Sequence, residues 1–236
     1  MRTSHVADRW AFGTILVAGI IICATTYASE AIERFSEVAA NTPAVDESRC
    51  SYTTISTSAS EEDVLEERFT ADEDDAWRLV KVNGMDPNAE EIEAYADAAR
   101  QRDRRNHPLA FDLQKLAQMD SLRMSSEDAD TVTLTFLLLP DEERGNQEFL
   151  EKMLGKLIVS KTEHRPVLFI LESAKPFSPA PTFKIKEFRQ EMRFQYDGTL
   201  STSVVVEIKS HFLAKAFIFK TIKDDRVVKF SDYTCR

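Results

Sequence analysis

The stretch from Thr182 to Tyr233 limits what this chain can fold into more than any other. Three runs rich in Phe, Val, Ile and Tyr (TFKIKEFRQEMRFQY, LSTSVVVEIKSHFLAKAFIFKTI and RVVKFSDY) are separated by Asp197-Gly198 and by Lys223-Asp224-Asp225. Period-two runs divided by turn-forming residues specify an antiparallel meander. Phe183 and Ile185 share one parity, while Phe188, Met192, Phe194 and Tyr196 fall on the other. A one-residue bulge near Lys186-Glu187 would bring all six to one face. Val204, Val206, Ile208 and Phe212 continue the alternation, with Glu207, Lys209 and His211 outward.

The region before the meander adds strands and one clear helix. Ser51–Thr57 and Val64–Thr70 read as a hairpin, and a third short strand from Trp77 ends at the turn dipeptide Asn83-Gly84. Asn88 with Glu91 forms a capping box, and Ile92, Tyr95, Ala96 and Ala99 make one apolar stripe, so a helix is predicted from Asn88 to about Arg104. Its acidic start and basic end suit the helix dipole. Thr131–Leu139, Leu157–Ser160 and Val167–Leu171 read as further strands, with one or two helical turns at Phe149–Leu154. The fold class is therefore α+β: a strongly curved antiparallel β-sheet, an incomplete β-barrel, with one main helix and short helical segments packed on its concave face.

At the N-terminus, Arg2 and Arg9 precede an uncharged apolar run, Ala11–Ala28, that ends in small residues. Residues 1–28 are an export signal or, if uncleaved, an N-terminal membrane anchor. Ile22 stands where a lipoprotein signal needs a small residue before Cys23, so lipidation is not expected. Either form places the body outside the cytoplasm: in the periplasm, or anchored to the inner membrane and facing it. Residues 29–49, small and polar with Pro43, read as a flexible linker or a frayed helix, and residues 50–236 as a single domain. The net charge of −10 argues against nucleic acid and against an anionic membrane surface as electrostatically bound partners. Membrane contact is expected only through the N-terminal segment if it stays uncleaved. Cys50 and Cys235 bracket the domain, and an even count in an oxidising compartment invites pairing; the alternative is two free thiols. If the first and last strands are antiparallel neighbours, both cysteines sit beside their shared end.

Catalytic and metal motifs do not emerge. The four histidines have no Cys, Asp or Glu at a metal-ligand spacing, and no HExxH, CxxC, GxSxG or phosphate-binding glycine pattern occurs. Neither an enzyme nor a cofactor is expected. The aromatic supply points elsewhere: 15 Phe, 5 Tyr and 2 Trp, concentrated in strands. Core packing is the ordinary use of such residues. A curved sheet under few helices can also leave a lined groove for an apolar ligand. Strand position selects Phe136, Leu138, Phe169, Leu171, Phe183, Phe194, Phe212 and Phe219 as its lining.

Trp77-x-Leu79 with Val82-x-Gly84, then Pro87 and Glu90-Glu91-Ile92, resembles a segment of proteobacterial envelope proteins. Pro176-Phe177-Ser178-Pro179 and Phe230-Ser231-Asp232-Tyr233 resemble their later landmarks, and the order of elements is similar to the LolA-like superfamily. That superfamily includes periplasmic lipoprotein carriers and the sensor domain of RseB/MucB-type regulators. The resemblance implies an incomplete antiparallel barrel closed by helices over a hydrophobic cavity. It also implies a non-catalytic role, binding or sensing an apolar or lipidic ligand or a lipoprotein, with an envelope protein as a possible partner. The alternative is a structural or scaffolding envelope protein whose core is filled.

Overall fold

Strict alternation builds the middle of the sheet. In β5 (Thr131–Leu137) Val132, Leu134 and Phe136 are buried, and in β6 (Met153–Ser160) Met153, Gly155, Leu157 and Val159 are, while their neighbours are not. The computed structural model describes residues 29–43, 45, 49–59, 63–71, 77–100, 112–139, 147–217 and 220–235. The export-signal or anchor segment 1–28 lies outside them.

The other strands are β1 (Cys50–Ser58), β2 (Val64–Phe69), β3 (Trp77–Val82), β4 (Arg123–Glu127), β7 (Pro166–Ser173), β8 (Phe177–Ala180), β9 (Phe183–Asp197), β10 (Thr202–Ala216) and β11 (Lys220–Cys235). They form one open 11-stranded sheet in the order β3-β2-β1-β11-β10-β9-β7-β6-β5-β4, with β8 paired to β9. All strand pairings are antiparallel. One apolar cluster draws on strands from β4 (Met124) to β11 (Phe230). Laid flat, those seven strands would spread over about 29 Å at ordinary strand spacing. Sharing a single core requires the sheet to curl.

The meander follows its sequence in two places and departs from it in two. Register slips where Leu213 pairs Glu187 but Ala214 pairs Ile185, which leaves Lys186 as the expected bulge residue. Asp197 closes the first turn by accepting hydrogen bonds from the Thr199 and Leu200 amides. A second slip lies between Val205 and Glu207, so Val205 and not Val206 joins Ile208 in the main core. Lys223-Asp224-Asp225, read from sequence as a turn, lies inside β11. The charges there are met locally: Ser58 donates to Asp224, and Lys223 pairs with Asp225 at 2.8 Å. β10 ends instead at Ala216, followed by Phe217 in a turn at φ 57°, without the Gly or Asn such a backbone favours.

The helices share their work differently from the sequence reading. Residues 29–40, read as linker or frayed helix, are helical (α1), and Ala31, Phe35, Val38 and Ala39 are buried in the main core. Their spacing (i, i+4, i+7, i+8) is an apolar stripe hidden among small polar residues. Pro43 bars continuation. The end of α1 is fastened by Asn41, which donates to the His164 carbonyl, and by the Glu37–His164 contact at 3.0 Å. The capped helix α2 (Ala89–Arg100) begins with both capping-box bonds: the Asn88 amide donates to Glu91 Oε2 and the Glu91 amide to Asn88 Oδ1. It packs beside β3, with Tyr95 buried and Ile92 exposed. A four-residue helix, α3 (Gln147–Leu150), brings Phe149 and Leu150 against the core.

Candidate functional site

The concave face is centred on Phe136. It stacks with Phe169 at 6.1 Å and receives Phe35 of α1 edge-on at 5.6 Å. Gly155 sits opposite Phe136 in the neighbouring strand, and a Cβ there would fall 2.7 Å from the Phe136 ring. Glycine is thus required by packing, because the ring lies flat on the β6 backbone. Leu113 in a 3-10 turn, Ala117 in a bridge to Leu138, and Leu122 just after a second 3-10 turn, all ahead of β4, close another side of the cluster.

The structure divides the predicted lining. Phe136, Leu138, Phe169 and Phe194 are buried members of one cluster, and Leu171 packs at its margin. Phe183 and Phe212 stack on each other at 6.3 Å on a distal part of β9 and β10, outside that cluster. Phe219 lies outside the described residues. Sequence reasoning missed Phe35 and Val38, which cover the face. It also missed the aromatic group of Phe149, Phe177 and Phe188, with centroids 5.7 and 5.5 Å from Phe149. The α1 stripe was legible in its spacing; the aromatic group joins α3, β8 and β9, which no local pattern connects.

A second aromatic group occupies the β1–β3 end: Tyr52 stacks on Phe69 at 5.2 Å, with Trp77, Phe230 and Tyr233 around it. The Tyr233 hydroxyl donates to the Val205 carbonyl at 2.6 Å, and burial pushes its pKa well above the usual tyrosine value. Beside this group, Cys50 and Cys235 form a disulfide, and they are register partners in the β1–β11 pair.

The outer face is polar. An open cleft of about 520 Å³ is lined by residues including Thr57, Arg189, Glu191, Lys209, His211 and Asp225. His211 Nδ1 lies 2.5 Å from Asp225, and its Nε2 lies 3.4 Å from Glu187. Hydrogen bonds from Lys223 first, then from His211, hold the Asp225 carboxyl below its usual range. With a carboxylate at each nitrogen, this imidazole has no hydroxyl or thiol to activate, so the arrangement is not that of a nucleophilic triad. Arg189 bridges Glu172 and Glu191, each at 2.8 Å, and Lys156 also reaches Glu172. These pairs cross the sheet in water and contribute little each. Among the described residues, no group of three or more His, Cys, Asp or Glu is placed to hold a metal ion. No helix among them is long and apolar enough to cross a membrane.

No family model matches the chain, and no curated protein matches it. Among solved structures, it is similar to a chain from the complex of Pseudomonas aeruginosa MucA/MucB. That chain is 12% identical; the match covers 86% of this chain and 94% of that one, with a TM-score of 0.22. A similarity that weak carries no argument about fold or function.

Proposed function

We propose that this chain is a non-catalytic protein of the cell envelope, exposed on the periplasmic side. In this reading it binds or senses an apolar ligand, a lipid or the acyl part of a lipoprotein, on the concave face of its sheet. Kinship with the LolA-like superfamily and engagement of an envelope protein partner belong to the same proposal. One observation carries it: the apolar concave face is covered along one side by a 12-residue helix, 29–40, fastened at its end by polar contacts to His164. An exposed pair of that kind contributes at most about 1 kcal/mol. Apolar packing therefore supplies most of what holds the helix down, and an apolar ligand offers the same packing. Displacement of Phe35 from Phe136 and Phe169 would open the groove in which such ligands are held.

The packing of Phe35 onto Phe136 also favours the second reading, a scaffold whose core is simply full. Titration of purified protein with cis-parinaric acid separates the two. Under the ligand reading the probe binds saturably, and Phe35→Ala binds it more tightly while lowering thermal stability. If neither form binds the probe and no lipid co-purifies, the scaffold reading holds.

A further inference from the structure

The far end of the meander reaches past the rest of the sheet. β7 pairs with β9 only from Arg189 onward, and β1 pairs with β11 only from Arg226 onward. Residues 183–188, 211–216 and 220–225 therefore form a three-stranded arm, flanked by β8 and the end of β7 (Ser173, which accepts from the Phe188 amide) on one side and by Ser58 and Ala59, bonded to Asp224 and Asp225, on the other. Three properties of its tip are unexplained by folding.

The first is charge. From Ala174 to Lys186 and from Leu213 to Lys223 the sequence holds six lysines and no Asp or Glu, in a chain of net charge −10. Lys223 pairs with Asp225; among the described residues Lys175, Lys184, Lys186, Lys215 and Lys220 form no ion pair. The second is register. Lys184 lies directly opposite Lys215, a like-charge cross-strand pair, and both are exposed. Such a pair opposes sheet formation unless an anion lies over it. The third is Phe217, 65% exposed at the end of β10, with φ 57°. A bulky side chain in the left-handed region is rare, and folding draws no burial in return. An apex with an exposed aromatic ring, on strands that carry lysines without ion-pair partners, has the composition of a surface that sits at a lipid–water boundary. The ring enters the interface while the ammonium groups meet lipid phosphates.

We propose that this tip docks on an anionic phospholipid surface, with Phe217 inserting and Lys184, Lys215 and Lys220 contacting the headgroups. The acidic average of the chain hides this local reversal of sign; elsewhere the protein's negative charge is repelled by the same surface, which fixes its orientation. The inference does not depend on the ligand reading of the concave face.

Phe217→Trp places a local reporter at the apex of the intact chain. Its emission is expected to shift to the blue with phosphatidylcholine vesicles containing about one third phosphatidylglycerol, and not with phosphatidylcholine alone. The shift is expected to disappear in high salt. Adding Lys184→Gln and Lys215→Gln weakens binding roughly 25-fold, at about fivefold per lysine. The thermal midpoint of that variant stays unchanged or rises, because the opposed lysines are gone. No shift on anionic vesicles, an equal shift on neutral ones, or full binding by the double variant overturns the proposal. A shift seen only with polyglutamate would overturn it in favour of an acidic protein partner. Trp10 lies in residues 1–28 and Trp77 in β3, so the parent chain is titrated alongside and only the emission change added by Phe217→Trp is assigned to the arm.

Discussion

Phe136 lies inside the sheet and Phe217 in the turn just past the end of β10, and the fold treats them in opposite ways. Phe136 is 1% exposed, with Phe35, Phe169 and the Gly155 backbone around it. Phe217 is 65% exposed, on a backbone that disfavours it. Around the first, charges are absent or paired; around the second, lysines stand opposite one another. The body of the sheet is thus built to lower its own free energy, and the tip of the arm is not. What the tip costs in stability has to be explained by something outside the chain.

The largest test of this contrast is paired truncation. Phe136→Ala is expected to cost about 3–5 kcal/mol, the usual range for a buried aromatic, whereas Phe217→Ala should fall within about 0.5 kcal/mol of the parent. Urea midpoints decide it, and similar losses at the two sites would erase the distinction. Next comes the Cys50–Cys235 bond, which links residues 185 apart in sequence. Reduction is expected to lower stability by about 2–5 kcal/mol, chiefly by freeing the unfolded chain. Comparison of melting with and without dithiothreitol checks it; an unchanged midpoint would mean that β1 and β11 hold without the bridge.

Gly155→Ala should cost about 1–3 kcal/mol, because the added methyl meets the Phe136 ring and the rigid strand pair cannot yield far. The smallest effect concerns acid. Asp225 has its carboxyl depressed below 3.8 by Lys223 and His211, so its contribution is present above that value and is lost as pH falls through the lower folded value. Asp225→Asn should lower stability slightly in the neutral range and converge with the parent as pH falls below about 4, which flattens the acid slope. Denaturation midpoints across that range measure it. Asp128 and Glu127 are shifted in the same direction, so part of the slope will persist.

How much of this was legible in sequence depends on how local the signal was. The bulge at Lys186, the Asp197-Gly198 turn and the capping box at Asn88 each follow from a few adjacent residues, and each stands in the structure. The β10–β11 turn could not be read that way. Lys223-Asp224-Asp225 has turn composition but is held in a strand by partners on β1 and β10, while the actual turn begins at a phenylalanine. Helix 29–40 was obscured differently: only four of its residues face the core, and Glu33, Ser36 and Glu37 give it the composition of a linker. The aromatic lining was chosen by strand parity. Parity places a side chain on a face, but Phe183 and Phe212 share that face with Phe136 at the wrong distance along the strands. The lysine tip could not be seen without knowing which strands outrun their neighbours.

The central claim is that α1 is a cover over an apolar face, held chiefly by packing that a ligand can replace. Hydrogen exchange of the amides in 29–40, measured with and without saturating palmitate, tests it most directly. The account predicts that protection across residues 35–40 falls when palmitate is bound, while β5 and β6 keep theirs. Unchanged protection of the helix with palmitate demonstrably bound, or no binding at all, would contradict it.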